Sequence, residues 1–173
     1  MTLHEHRFMT EDRRFALTLG VSPLQRILDL CSESLGMETG GILVGYYSPK
    51  HDDAIVTAVS GPPSDSKRRR TTFERGTAGL QAWLNELWNR QHRYYLGEWH
   101  FHPCAAPHPS HDDIQQMRDN AAKENLRCPE PVLLIVGGAP PHEWTASAYV
   151  SPRGRRFLEM ILSNRHTELE RRQ

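Results

Sequence analysis

The sequence predicts an α/β (α+β) fold in three layers, and three observations carry that expectation. Two nearly uninterrupted apolar runs, Ile42 to Tyr47 and Val132 to Val136, read as strands covered on both faces. Two segments space their apolar residues as helices do: Leu24, Ile27, Leu28, Cys31 and Leu35, then Leu80, Trp83, Leu84, Leu87 and Trp88. Segments of the two kinds are interspersed with no internal repeat and no long linker, so 173 residues suit a single core.

Taken in order, residues 1–13 are polar with alternating charge and read as an arm, leaving residues 14–173 as one domain. Phe15, Leu17 and Leu19 alternate with small or polar residues as a first strand. Ser22-Pro23 then supplies an N-cap and a helix-starting proline, and the helix ends near Gly36. Strands are expected at residues 42–47 and 54–59, the second stopped by Gly61-Pro62-Pro63. Residues 61–72 combine turn formers with the basic run Lys67 to Arg70 and predict a mobile surface loop. A helix over residues 76–92 and a strand over 94–102 follow, then a stiff proline-rich turn (103–109) and a helix from 111 to about 125. Strands at 132–136 and 144–150 precede an amphipathic helix from Arg155 onward, carrying Phe157, Leu158, Ile161 and Leu162.

Composition excludes several classes. Hydrophobic residues make up 38% and charged residues 24%, with 21 Lys+Arg against 21 Asp+Glu, which fits neither disorder nor a globally basic nucleic-acid binder. The longest aliphatic run is far shorter than the roughly 20 residues of a membrane helix, and the amino terminus has no apolar segment, arguing against insertion and export. Three cysteines with no C-x-x-C pair suit a reducing compartment, and the expected location is the cytoplasm.

Of ten histidines, His100, His102, His108 and His111 fall close together, and the chemistry is sought there. His100-Phe101-His102 ends a strand, so both imidazoles project from one face with Cα atoms roughly 6.5–7 Å apart, a span one zinc ion can bridge. Asp113, in the first turn of the next helix, can fold back as a third ligand, leaving a fourth position open. Ser110-x-x-Asp113 is also a capping-box sequence, a role compatible with a Ser110 hydroxyl that donates to a developing oxyanion. His108 and His111 fit the ligand spacing less well, and Cys104, two residues past His102, reads as a loop residue, with a competing soft ligand as the alternative. Glu98 shares the strand face of His100 and His102, where it either lines the site or supports a ligand.

The string His100-x-His102-x7-Ser110-x2-Asp113, with Pro103 after the second histidine and Glu38 upstream in Met37-Glu38-Thr39-Gly40-Gly41, resembles the JAMM motif of JAB/MPN+ metalloproteases. The resemblance spans residues 14–150 and implies a JAB/MPN-like domain with a central mixed sheet flanked by helices. It implies that His100, His102 and Asp113 bind one Zn2+ per chain, that Glu38 is the general acid/base, and that Ser110 stabilises the oxyanion. Phe101 stands where eukaryotic members often have serine, and Glu98-Trp99 is more like stand-alone bacterial JAB proteins. Glu98 remains the rival for the role of base.

The resemblance further implies an isopeptidase or peptidase cutting after the C-terminal glycine of a ubiquitin-like protein or its conjugate. Related bacterial proteins resemble partners of E1/E2-type enzymes in antiphage operons, including those that modify nucleotide cyclases. Lys67, Arg68, Arg69, Arg70, Thr71, Thr72 and Phe73 fall where related enzymes carry an insertion that clamps the substrate tail by strand addition; the plain alternative is a solvated loop. Two other classes remain. A metal-free MPN-type scaffold would lack the ligands this chain retains. A nucleic-acid-associated relative would use the basic run, against which zero net charge argues.

Overall fold

The computed structural model describes residues 3–163. Ten strands, three α-helices and one 3-10 turn follow one another as β1 (His6–Met9), β2 (Ala16–Leu19), α1 (Val21–Glu33), β3 (Thr39–Tyr47), β4 (Asp53–Val59), β5 (Lys67–Arg68), β6 (Phe73–Glu74), α2 (Leu80–Gln91), β7 (Tyr94–Pro103), α3 (His111–Ala122), the turn Glu124–Leu126, β8 (Val132–Ala139), β9 (Glu143–Val150) and β10 (Leu158–Leu162). The class is α/β, as expected.

The sheet does not stay open. Its strands run β1-β10-β9-β8-β7-β3-β4-β2, and β1 pairs with β2 to close a barrel. The pairings β2/β4 and β7/β8 are parallel and the rest antiparallel, so the sheet is mixed. Strand alternation then sorts the apolar runs. Leu43, Leu134 and Val136 join one cluster with Leu24, Ile27 and Leu28 of α1. Their neighbours on the same strands, Ile42 and Val44, meet Leu80, Trp83, Leu84 and Leu87 of α2, while Leu133 and Ile135 meet Met117 of α3. Both faces are covered, which is why the runs are continuous.

Four expectations are corrected. The stretch read as an arm contributes β1, with Phe8 2% exposed in the core. Gly20 rather than Ser22 caps α1, which begins at Val21, so Ser22 and Pro23 lie in its first turn. Residues 61–72 are not irregular throughout: Lys67–Arg68 (β5) pairs with Phe73–Glu74 (β6) as a short hairpin, Lys67 with Glu74 and Arg68 with Phe73. Where an amphipathic helix was expected, Leu158–Leu162 is a strand that buries Met160 and leaves Ile161 outside. Residues 155–157 are not helical either, and the expected helix from residue 164 onward lies outside the described residues.

Candidate metal centre

Parity on β7 begins the assembly. Trp99 and Phe101 belong to the inner cluster, so Glu98, His100 and His102 take the other face, beside the start of α3. Ligand-capable atoms of His100, His102 and Asp113 all lie within 4.8 Å of one another. Nδ1 of His100 is 2.7 Å from Asp113 Oδ1, and Nε2 of His102 is 4.0 Å from Asp113 Oδ2.

Local structure at α3 places the carboxylate. Ser110 Oγ accepts from the Asp113 N–H at 3.1 Å, while Asp113 Oδ2 accepts from the Ser110 N–H and the Ser110 hydroxyl, each at 2.7 Å. The capping box and the candidate ligand are therefore one device: the bonds that start the helix also set the rotamer that faces His100. The single hydroxyl proton of Ser110 points to Asp113 and must turn before it can serve an oxyanion. The preceding turn is pinned by Cys104 N–H to the Gly138 carbonyl at 2.8 Å, and a Cβ at Gly137 would collide with the Ala105 carbonyl.

The electrostatics favour a cation. Burial opposes charge on His100, but bonds to Asp113 and Glu98 outweigh it and raise its pKa to about 9. Burial would raise Glu98 too, yet His100 and Arg75 hold it at about 2. Asp113 is likewise pulled well below the carboxylate range, against its burial, by His100 and Ser110. Burial lowers His102, which suits a neutral imidazole donor. Two imidazoles and a carboxylate converging in an electronegative setting form an N2O donor set that fits a zinc-like divalent ion.

A cavity of about 640 Å³ opens over these groups, and Glu38 and Ser110 line it. Burial, then the charge of Asp113, raises the Glu38 carboxyl, while His100 lowers it. The hairpin forms the facing wall: Lys67, Arg69, Thr71, Thr72 and Phe73 line the cavity, whereas Arg68 and Arg70 do not. The Glu38 N–H donates to the Arg69 carbonyl at 2.8 Å. Phe73 stands edge-on to His100 with ring centroids 5.6 Å apart, a contact that a Cβ at Gly40 would displace. His108, His111 and Cys104 are exposed.

Sequence reasoning missed what surrounds Glu98. Arg75 Nη2 and Asn120 Nδ2 donate to its Oε1 at 2.9 and 2.7 Å, and the Tyr95 hydroxyl lies at 3.5 Å. Asn120 was findable, since it falls seven residues after Asp113 on the same helical face. Arg75 carries no local signal beyond its nearness to the basic run.

His100, His102 and Asp113 converging beside the Glu38 carboxylate in one cavity is an arrangement that could hold a metal ion for hydrolytic chemistry. Residues 21–149 match the family described as prokaryotic homologs of the JAB domain, and the chain belongs to this family of peptidases. It is 39% identical over 154 residues to a CD-NTase/cGAS isopeptidase of Enterobacter hormaechei subsp. hoffmannii, covering 89% of this chain and 85% of that one. It is 29% identical over 140 residues to a probable metalloprotease of Sinorhizobium fredii, covering 79% and 84%. A solution structure from Desulfitobacterium hafniense shares the fold, with a TM-score of 0.60 and 18% identity over 83% of this chain and 86% of that one.

Proposed function

We propose that this chain is a zinc-dependent isopeptidase that hydrolyses the amide after the C-terminal glycine of a ubiquitin-like protein, releasing it from a conjugated CD-NTase. The observation that carries the reading is the convergence of His100, His102 and Asp113 within 4.8 Å, in one cavity with Glu38. The names of the relatives support the bond type and the target. The hairpin wall supports an extended substrate tail. Three free cysteines, and no described helix long and apolar enough to cross a membrane, agree with a cytoplasmic setting, among the conjugating enzymes of an antiphage system.

In this reading His100, His102 and Asp113 would hold one zinc per chain, which would supply Lewis acidity and a nucleophile at neutral pH. Glu38 would accept the proton of the attacking water on its carboxylate and deliver it to the leaving amine, so the base would end as it began. Glu98 is the poorer base, because it is 1% exposed and its Oε1 is already occupied by Arg75 and Asn120. The Ser110 hydroxyl steadies Asp113 and, once turned, can donate to the developing oxyanion.

The test is a purified conjugate of the ubiquitin-like protein with the CD-NTase, incubated with zinc-loaded protein and read by intact-mass spectrometry. Release of a ubiquitin-like protein ending in glycine, abolished by chelation and restored by zinc, is expected. An untouched conjugate with stoichiometric zinc in the protein would overturn the substrate.

A further inference from the structure

Arg75 is where the hairpin meets the ligand strand. It directly follows β6, and its side chain is only 16% exposed although the hairpin lies on the surface. Nη2 donates to Glu98 Oε1 at 2.9 Å and Nη1 to the Gly76 carbonyl at 2.8 Å. The same Glu98 oxygen accepts from Asn120, and the other lies 3.7 Å from His100 Nε2. One carboxylate thus joins the hairpin, α3 and the imidazole of His100. A desolvated pair of this kind fixes geometry rather than adding much stability, and losing one partner strands a buried charge.

The segment has other fastenings. The Asp65 carboxylate accepts from the Thr77 and Ala78 N–H groups, Ser66 Oγ accepts from the Gly76 N–H, the Arg69 carbonyl accepts from the Glu38 N–H, and Phe73 packs edge-on to His100. We propose that Arg75 is a positioning residue: it clamps the hairpin over the cavity and, through Glu98, sets the ring of His100, so hairpin docking and metal affinity rise and fall together. Arg rather than Lys is required, because one planar fork reaches Glu98 and the Gly76 carbonyl at once.

Only the kinetic arm of the test rests on the isopeptidase reading. Hydrogen exchange in the metal-free protein is compared for wild type, Arg75→Met and Arg75→Lys. The Glu38 amide, which reports hairpin docking, should exchange at least about tenfold faster in Arg75→Met while β8 amides such as Leu134 keep their protection. Zinc affinity, from chelator competition, should fall roughly 10- to 100-fold, with Arg75→Lys between the two. On the conjugate, KM should rise more than kcat falls, since the hairpin wall is displaced while Glu38 remains.

Should Arg75→Met not fold, Arg75→Met/Glu98→Gln, which removes the stranded charge as well, is compared with Glu98→Gln, and the same two changes are expected. Exchange and zinc affinity within about twofold of the reference in whichever variant folds would overturn the clamp. So would failure of the double variant to fold while Glu98→Gln folds, since Arg75 would then serve folding alone. The two changes without any hydrolysis by wild type would uphold the clamp and sink the isopeptidase reading.

Discussion

Glu38 stands at the mouth of β3, where burial and the charge of Asp113 raise its carboxyl above the ordinary glutamate value despite His100. Its proposed role yields two separable outcomes. Glu38→Gln should retain zinc by mass spectrometry yet lose roughly 10²- to 10⁴-fold in kcat, the usual span for a positioned acid/base. In stability the sign reverses. A carboxyl whose folded pKa is raised costs stability above that pKa, and the cost disappears below its unfolded value. Metal-free Glu38→Gln should therefore melt at or above wild type at pH 7, with the gain gone at about pH 4. A gain that grew on acidification would contradict the burial of this group. Single residues of this kind were legible because strand parity, helix phase and a family-like string are local properties of the chain. Arg75 was not, because Glu98 brings it to the site only in three dimensions, and Asn120 was marked only by its helical phase with Asp113.

At the level of elements, the cap of α3 and the hairpin each join a backbone device to the cavity. Ser110→Ala removes the acceptor for the Asp113 N–H and a donor to its carboxylate. It should cost about 1 kcal/mol in thermal or urea unfolding, as lost N-caps do. It should also weaken zinc binding, whereas a mere capping residue would leave affinity intact. For the hairpin, the structure divides the basic run. Replacing Lys67 and Arg69, which line the cavity, by Ser should raise KM for the conjugate more than replacing Arg68 and Arg70, which do not. Equal effects from the two pairs would mean that bulk charge matters rather than the wall. The hairpin was hidden in the sequence because its strands, Lys67–Arg68 and Phe73–Glu74, are each two residues long, too short for any apolar alternation to show. Its order comes from Arg75, Asp65 and Glu38, which hold it from outside.

For the molecule as a whole, the decisive event is closure, and it lay beyond the sequence because β1 and β10 are each too short to announce themselves. Phe157, Leu158, Ile161 and Leu162 satisfy helical spacing, and nothing local reveals that β10 has β1 on one side and β9 on the other. The two readings assign opposite faces, which makes closure testable. A helix burying the apolar set would hide Ile161 and expose Met160; the strand buries Met160 at 2% exposure and leaves Ile161 at 65%. Met160→Asp should thus lose the roughly 2–5 kcal/mol of a deleted core side chain, before any cost of burying a carboxylate. At about 2–4 °C per kcal/mol for a chain of this size, Tm should fall by roughly 10 °C. Ile161→Asp, on the solvent face of the same strand, should stay within about 0.5 kcal/mol of wild type. Zinc content should survive in the folded fraction of both, because β9 and β8 separate β10 from β7, which carries His100 and His102. If Ile161→Asp proved the more damaging of the two, the barrel would not be closed by this strand.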